Sequence, residues 1–357
     1  MDRAERLAVG GWGSVHPNPM VGCLIVKGDH VVGEGFHEIF GGSHAEVIAL
    51  SQAGSDARGS TAYVSLEPCN HHGQTPPCVD ALVEAGVSRV VYGAADPGAE
   101  SAGGGARLAA AGLDVAGPVR SPAVARQQNP AFFHNAEEAS TYVALKLAVS
   151  LDGRISGAPG GRTTITGPEA HDEVHRLRAG FDAIMVGSKT VDVDDPLLTV
   201  RGSVIPRVPP TRIVLDTTLR LRPDAALFRD VETAPVMVFT ADDAADERAR
   251  RLEAAGANVV PMARSEDGLN LLSVIDHCWK AGITSVLCEG GGFLGSTLIR
   301  ARIARRLYLF VAPVVLGDGG VPAFPALTGL DSPRRWQTVG SPTRFGEDVL
   351  TVLCRRD

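Results

Sequence analysis

Short apolar runs alternate with longer amphipathic ones along this chain. In its first part, MVGCLIVKG, TAYVSLEP and SRVVYGA are rich in apolar and β-branched residues between turn formers, and they predict strands. HAEVIALSQAG, CVDALVEAGV and GARLAAAGL lie between and after them; they are rich in helix formers, close near glycine, and predict helices. AVARQQNPAFFHNAEEAST then interrupts the alternation with polar residues and a proline, which predicts a helix and connector and a boundary near residue 140. A second series follows. TYVALKLAVSLDGRI, FDAIMVG, RIVLD, APVMVFT, TSVLCEGG and RRLYLFVAPVVLG predict strands; PEAHDEVHRLRA, ADERARRLEAAG, LNLLSVIDHCWKA and LGSTLIRARI predict the helices between them. The proline-rich RGSVIPRVPPTR predicts a surface loop. Neither half repeats the other, so the pattern predicts two different α/β units, over residues 1–140 and 141–357.

The length agrees, since 357 residues exceed one ordinary hydrophobic core. Apolar residues at 44% and charged residues at 21% are globular values. A formal net charge of −7 argues against nucleic acid as a partner, because phosphate neutralisation needs clustered Lys and Arg. The start, MDRAERLAVGGWG, carries acids and no apolar core, so it does not read as a signal peptide. No apolar run approaches the roughly 18–20 residues that span a bilayer; the longest, LFVAPVVL, predicts a buried strand. Six cysteines in so long a chain do not make a disulfide framework. Cys23, Cys278, Cys288 and Cys354 sit in apolar patterns as small core residues. A cytoplasmic protein without a membrane partner is expected.

The chemistry concentrates in GSHAEVIAL and LEPCNHHGQTPPC. His44, Cys69 and Cys78 offer one imidazole and two thiolates. Three protein ligands with a fourth position left to water is the arrangement of a catalytic zinc, whereas a structural zinc is closed by four. Such a zinc brings the pKa of its water to about 7. Glu46, two residues after His44 at the start of a helix, would face the open position as a proton shuttle. H-x-E followed by P-C-x-x-C marks the zinc deaminases. His44-Ala45-Glu46 and Pro68-Cys69 fit it, but the eight residues NHHGQTPP stand between the cysteines in place of two. His71 and His72, adjacent in that loop, are expected at the substrate rather than as ligands.

HPNPMVGCLIV, GGSHAEVIAL and LEPCNHHGQTPPC together resemble the deaminase domain of the bifunctional riboflavin-biosynthesis deaminase/reductase family, which has an extended loop between its cysteines. YVALKLAVSLDGRI, VGSKTVDVDDPLLTVR, RIVLD, CEGGGFLG and APVVLG resemble the family's reductase domain, which is similar to dihydrofolate reductase. The resemblance covers essentially the whole chain. It implies a cytidine-deaminase-like α/β/α domain over 1–140 and a dihydrofolate-reductase-like α/β domain over 141–357. The first would deaminate a diaminopyrimidinone carrying a 5-phosphoribosylamino group; the second would reduce the ribosyl group to ribityl with NADPH. It implies zinc on His44, Cys69 and Cys78, Glu46 as proton donor, and Asn18 near the pyrimidine.

In the reductase half the resemblance places Lys146 and Asp194 at the reaction centre. It places Ala148, Thr164, Thr190, Asp194, Thr217, Gly291, Gly292, Phe293, Leu294, Gly295, Ser296 and Thr297 at NADPH, and Arg162, Arg178, Leu198, Arg201 and Glu289 at the substrate. The residues themselves support part of this. Gly290-Gly291-Gly292 joins a predicted strand to a predicted helix, where amides and a helix N-terminus cradle phosphate. Arg178 and Arg201 suit a substrate phosphate. A homo-oligomer, dimer or tetramer, is also implied. Three stretches depart from the family's pattern: Gln74 stands where Lys or Arg is usual, GRTTIT replaces a tryptophan-containing run, and DPGAESAGGGARL replaces a DPNP-type run. Two other readings fit parts of the chain. One is a zinc deaminase of another nucleobase, which leaves the second unit unexplained; the other is a non-catalytic zinc-stabilised scaffold, which needs a fourth protein ligand.

Overall fold

Along Gly22–Lys27 the side chains alternate between two helical layers, and that alternation organises the first unit. The computed structural model describes residues 1–73, 75–265, 268–327 and 335–356. It divides into two compact units, Met1–Ala139 and Ser140–Asp357.

In the first unit, strands β1 (Gly22–Lys27), β2 (His30–Phe36), β3 (Thr61–Leu66), β4 (Arg89–Ala94) and β5 (Asp114–Ala116) form a sheet in the order β2-β1-β3-β4-β5. The first three are antiparallel neighbours; β4 and β5 continue parallel to β3. Cys23 and Ile25 pack with Ala45, Ala49, Val79 and Leu82, which lie on helices α2 (Ala45–Ala53) and α3 (Cys78–Glu84). Gly22 points the other way, where an added Cβ would stand 2.0 Å from the Ala4 carbonyl of α1 (Asp2–Ala8). Helix α4 (Gly104–Ala110) adds Leu108 to the Cys23 cluster. The predicted helix-plus-connector before the boundary is two helices, α5 (Pro122–Gln128) and α6 (Pro130–Glu138), broken at Asn129 because Pro130 must open a new helix.

The sequence pattern missed α1, β2 and β5. In β2 the reason is physical. HVVGEGF has glycine where a strand usually carries a packing side chain, because helix α2 lies directly on it. A Cβ on Gly33 would stand 2.1 Å from the Ala49 carbonyl, and one on Gly35 2.8 Å from that of Ala45.

The second unit is built on β6 (Tyr142–Val149), β7 (Arg154–Ser156), β8 (Ala183–Gly187), β9 (Thr211–Leu215), β10 (Val236–Ala241), β11 (Ala257–Met262), β12 (Arg264–Ser265), β13 (Gly268–Leu269), β14 (Ser285–Cys288), β15 (Arg306–Val311), β16 (Val321–Pro322), β17 (Trp336–Thr338), β18 (Thr343–Phe345) and β19 (Asp348–Arg355). Its helices are α7 (Pro168–Ala179), α8 (Ser188–Asp194), α9 (Asp246–Ala254), α10 (Leu271–Lys280) and α11 (Gly292–Arg300). The main sheet runs β11-β10-β9-β8-β14-β6-β15-β19-β17, with β18 also on β19. From β11 to β15 every pair is parallel; β19 closes antiparallel on β15.

Both faces of this sheet are covered, as parallel sheets require. Ala183, Met185, Ile213, Met237 and Phe239 enter one core; Ile184, Val186, Val214, Val236 and Val238 enter the other, so the two-residue period sorts neighbours to opposite layers. The chain runs outward from β8 to β11, then returns to insert β14 between β8 and β6. Such a reversal leaves a crevice at the carboxyl ends of the strands, where open α/β sheets bind ligands. The loop RGSVIPRVPPTR is irregular over 201–210, as expected. RRLYLFVAPVVLG is strand only to Val311, and α8, β11 and the C-terminal β19 were not anticipated.

Candidate active sites

In the first unit, three element ends bring the donor atoms together. His44 is the extended residue before α2, Cys69 follows β3, and Cys78 is the first residue of α3. His44 Nδ1 lies 3.2 Å from Cys78 Sγ and 3.5 Å from Cys69 Sγ, and all three donor atoms fall within 4.8 Å of one another. With Zn–N of about 2.0–2.1 Å and Zn–S of about 2.3 Å, a tetrahedral N···S edge is about 3.5 Å, so the donor set fits zinc. The Cys78 amide at the start of α3 donates to Cys69 Sγ at 3.3 Å. Hydrogen bonds from Cys78 and His44 hold the Cys69 thiol down at about 4, although burial opposes this. The same pairing with Cys69, then burial and the Glu46 charge, push Cys78 up. A divalent cation relieves that conflict. The other imidazole nitrogen, Nε2, is 3.4 Å from Thr75 Oγ1, which orients the ring as outer-shell partners do.

Glu46 is buried on the first turn of α2, and burial followed by the Cys69 charge pushes its carboxyl up. It lines a cavity of about 290 Å³ with Asn18, His37, His71, Asp96 and Phe132. Asn18 and His71, both expected at the substrate, line it; among the described residues His71 Nδ1 is buried without a hydrogen-bond partner. Gln74 lies outside the described residues. Among the described residues His44, Cys69 and Cys78 are the whole cluster, and neither His71 nor His72 joins it.

Sequence reasoning missed His37, Glu67 and Asp96. His37 Nδ1 donates to the Ser43 carbonyl at 3.1 Å, which leaves Nε2 to accept from Asn18 Nδ2 at 3.3 Å. Glu67 accepts from the amides of Asp96 (3.1 Å) and Gly105 (2.9 Å), tying the loop after β4 and the first turn of α4 to the cavity wall. A lone His or Asp beside a turn carries no spacing signal, so only the fold reveals these residues.

In the second unit, two cavities meet at the carboxyl edge of the sheet. One, of about 760 Å³, is lined by Thr190, Thr217, Gly291, Gly292, Phe293 and Thr297, among others. Helix α11 opens into it. A Cβ on Gly291 would project there, 3.9 Å from Thr190 Oγ1. Gly292 is closed by the Ala323 and Pro322 carbonyls, at 2.6 and 2.7 Å from an added Cβ. Glycine amides at a helix N-terminus opening into a cavity of this size fit a dinucleotide pyrophosphate. Leu294 also reaches this cavity. Gly295 and Ser296 do not line it: Gly295 faces Leu145, and Ser296 is buried, its hydroxyl donating to the Gly292 carbonyl at 2.6 Å.

The other cavity, about 540 Å³, holds Lys146, Arg178, Leu198, Arg201 and Glu289. Ala148 and Thr164, expected at the cofactor, line this one, while Arg162, Thr190 and Asp194 line both. Arg178 and Glu289, predicted as separate substrate contacts, form one buried bidentate pair at 2.6 and 3.0 Å, and Arg178 also donates to the Thr199 carbonyl at 3.0 Å. Burial opposes the Glu289 charge, but Arg178 and then Lys146 hold its carboxyl below the usual range. Lys146 projects from β6 over the Phe310 ring at 5.7 Å; burial pushes its ammonium down, with Glu289 partly restoring it. Burial also pushes the Asp194 carboxyl up against the charge of Arg162. His171 and His175 of α7 line the cavity too, and no motif marks them in the sequence.

Residues 1–94 match the cytidine and deoxycytidylate deaminase zinc-binding region, and residues 141–351 match the RibD C-terminal domain. The chain is 40% identical over 354 residues to the riboflavin biosynthesis protein RibD of Escherichia coli K12, covering 94% of this chain and 93% of that one. It is 37% identical to RibD of Mycobacterium tuberculosis over 350 residues, covering 96% and 93%. Among solved structures, Acinetobacter baumannii RibD superposes with a TM-score of 0.84 at 35% identity, covering 100% of this chain and 98% of that one. A Thermotoga maritima protein described as a diaminohydroxyphosphoribosylaminopyrimidine deaminase/5-amino-6-(5-phosphoribosylamino)uracil reductase gives 0.82 at 31%, covering 100% and 97%. A zinc-binding deaminase unit followed by an open-sheet reductase unit defines a bifunctional deaminase/reductase. The chain belongs to the RibD family, whose cofactors are zinc and NADPH. Among the described residues no helix is long and apolar enough to cross a membrane.

Proposed function

We propose that the first unit hydrolyses the 2-amino group of 2,5-diamino-6-(5-phosphoribosylamino)pyrimidin-4-one, and that the second reduces the ribosyl group of the resulting uracil to ribityl, both within riboflavin biosynthesis. The observation that carries this reading is the pairing, in one chain, of a His44/Cys69/Cys78 cluster beside a buried Glu46 with a dinucleotide-sized cleft beside Lys146. The Thermotoga relative, similar over its whole length, is described by these two activities.

Zinc held by His44, Cys69 and Cys78 supplies a hydrolytic nucleophile at neutral pH. Glu46 moves the protons: its carboxylate accepts one from the attacking water and returns it to the departing amino group, so ammonia leaves neutral. Burial, which favours the protonated carboxyl, suits the second half of that transfer. Asn18, held by His37, presents its amide to the pyrimidine edge. Water is limited by the small cavity and by Phe132 at its wall.

NADPH supplies the hydride for the second reaction. Opening the ribosyl ring turns its ring oxygen into a hydroxyl, so that oxygen needs a proton. Lys146, its ammonium weakened by burial, is placed to give it, and Glu289, locked by Arg178, fixes the ammonium. Asp194, at the junction of the two cavities, positions the ribose against the cofactor. Arg201 and Arg162 face the phosphate end. A cytoplasmic location and a homo-oligomeric assembly are part of the same proposal.

The test supplies the diaminopyrimidinone with and without NADPH and follows ammonia release and NADPH oxidation separately. Ammonia is expected in both cases, with NADPH consumed only after deamination. Ammonia release from cytidine or guanine, but not from the diaminopyrimidinone, overturns the reading.

A further inference from the structure

The segment after α8 carries Leu198 and Arg201 into the second unit's smaller cavity, yet it contains two non-glycine residues with positive φ, Asp195 at 40° and Leu198 at 51°. A conformation that unfavourable persists only where its surroundings hold it. Three side-chain bonds do so. Asp195 Oδ1 accepts the Ala226 amide at 2.8 Å, Arg178 Nη1 donates to the Thr199 carbonyl at 3.0 Å, and the Arg201 amide donates to His175 Nδ1 at 3.1 Å. Only the last depends on a group that titrates near neutrality.

The bond requires a bare Nδ1. The neutral ring therefore carries its proton on Nε2, which lies 3.5 Å from Arg201 Nη2. A second proton would set two donors against each other at Nδ1 and place a cation beside two arginines. Resting on the reading that this cavity takes the phosphorylated reductase substrate, we propose that His175 is a positioning residue: its neutral ring fixes the Arg201 backbone so that the guanidinium meets the substrate phosphate, and protonation of the ring releases that anchor.

The surroundings keep the ring neutral at ordinary pH. Burial lowers its pKa, the charges of Arg178 on the same helix and Arg201 on the segment lower it further, and Glu289 beyond β14 and the Thr199 carbonyl oppose them. His171, one turn earlier on α7, is lowered mainly by burial and then by Lys146, so it adds no charge under the same conditions.

The experiment measures NADPH oxidation with the deaminated intermediate across acidic and neutral pH, for the full-length wild type, His175→Asn and His175→Ala. Asparagine places Oδ1 near the position of Nδ1 and accepts the same amide without titrating. As pH falls through the ring's lowered pKa, wild-type kcat/KM is expected to drop by up to about tenfold per unit more steeply than that of His175→Asn, through KM, and to level off near the His175→Ala value. The substrate phosphate titrates equally in both and cancels. His175→Ala, lacking the acceptor, should show a raised KM at every pH. Superimposable wild-type and His175→Asn profiles overturn the proposal. The Arg201 amide resonance gives a readout independent of activity: it should titrate with the His175 ring in the wild type and stay fixed in His175→Asn. An amide that titrates in a protein unable to oxidise NADPH with this substrate counts against the proposed function alone; an amide that does not titrate counts against the anchor.

Discussion

Glu46 and Lys146 are both ionisable groups whose charge is weakened by burial, and in the proposed reactions that weaker charge suits a proton transfer. Glu46→Gln keeps size and hydrogen bonding but cannot carry a proton. Zinc content should stay at about one per chain while deamination slows by ~10²–10⁴, the usual loss for a general acid/base. Metal analysis beside an ammonia assay decides it, and a rate within a few-fold of wild type removes Glu46 from the role. Cys78→Ser should behave otherwise. It replaces a thiolate with a poor neutral donor, so metal and deaminase activity should go together; full zinc occupancy in that variant would falsify the ligand assignment. For Lys146 the sign follows from its role as an acid. It must be charged to act, and burial lowers its pKa from the usual 10.5, so reductase activity should be complete below that lowered value and fall as pH rises through it. Lys146→Arg, charged throughout but far too weak an acid to give up its proton, should lower kcat/KM and leave the residual rate without that alkaline limb. An unchanged limb assigns the ionisation to another group.

At the scale of elements, helix α2 positions both His44 and Glu46, and it can lie where it does only because β2 offers glycine beneath it. Gly33→Ala would set a methyl 2.1 Å from the Ala49 carbonyl, and backbone cannot yield as a side-chain tip does. Overpacking of this kind costs ~1–3 kcal/mol. The helix should shift, so both the denaturation midpoint and the zinc affinity measured by chelator competition should fall; if neither moves, the contact does not set the helix. The same contact explains what the sequence disclosed. The His44/Cys69/Cys78 cluster was legible because an H-x-E and two Pro-Cys pairs are the residue types a metal site uses, and β6, β8, β10 and β15 were legible because both-face burial writes continuous apolar runs. Strand β2 was not, since its packing is recorded as missing side chains. His37, Asp96 and His175 were hidden for a different reason: their roles come from partners distant in sequence, such as Asn18 for His37 and Arg201 for His175. The glycine run at α11 was legible as the turn from a strand into a helix, but the inward turn of Gly295 and Ser296 required the helix face to be known.

Each unit of the whole molecule has its own core and its own cavity, and separable chemistries are expected. Lys146→Ala should abolish NADPH oxidation while ammonia release continues, and Glu46→Gln should do the reverse when supplied with the deaminated intermediate. Steady-state rates for both half-reactions in both variants test this; loss of both activities in either variant means that the units depend on one another. The strand order of the second sheet has a consequence for how this chain comes off the ribosome. The first unit's strands all lie within its own segment, so it can close once residue 139 has emerged. The second cannot behave that way. Strand β6 emerges early, but both of its neighbours, β14 and β15, are made only after β11, and β8 likewise waits for β14. At the usual 5–20 residues per second, the apolar edges of β6 stand open for on the order of ten seconds. During translation the reductase half is therefore the part that needs a chaperone's cover, and truncated chains ending before Ser285 should aggregate while their deaminase half is already folded.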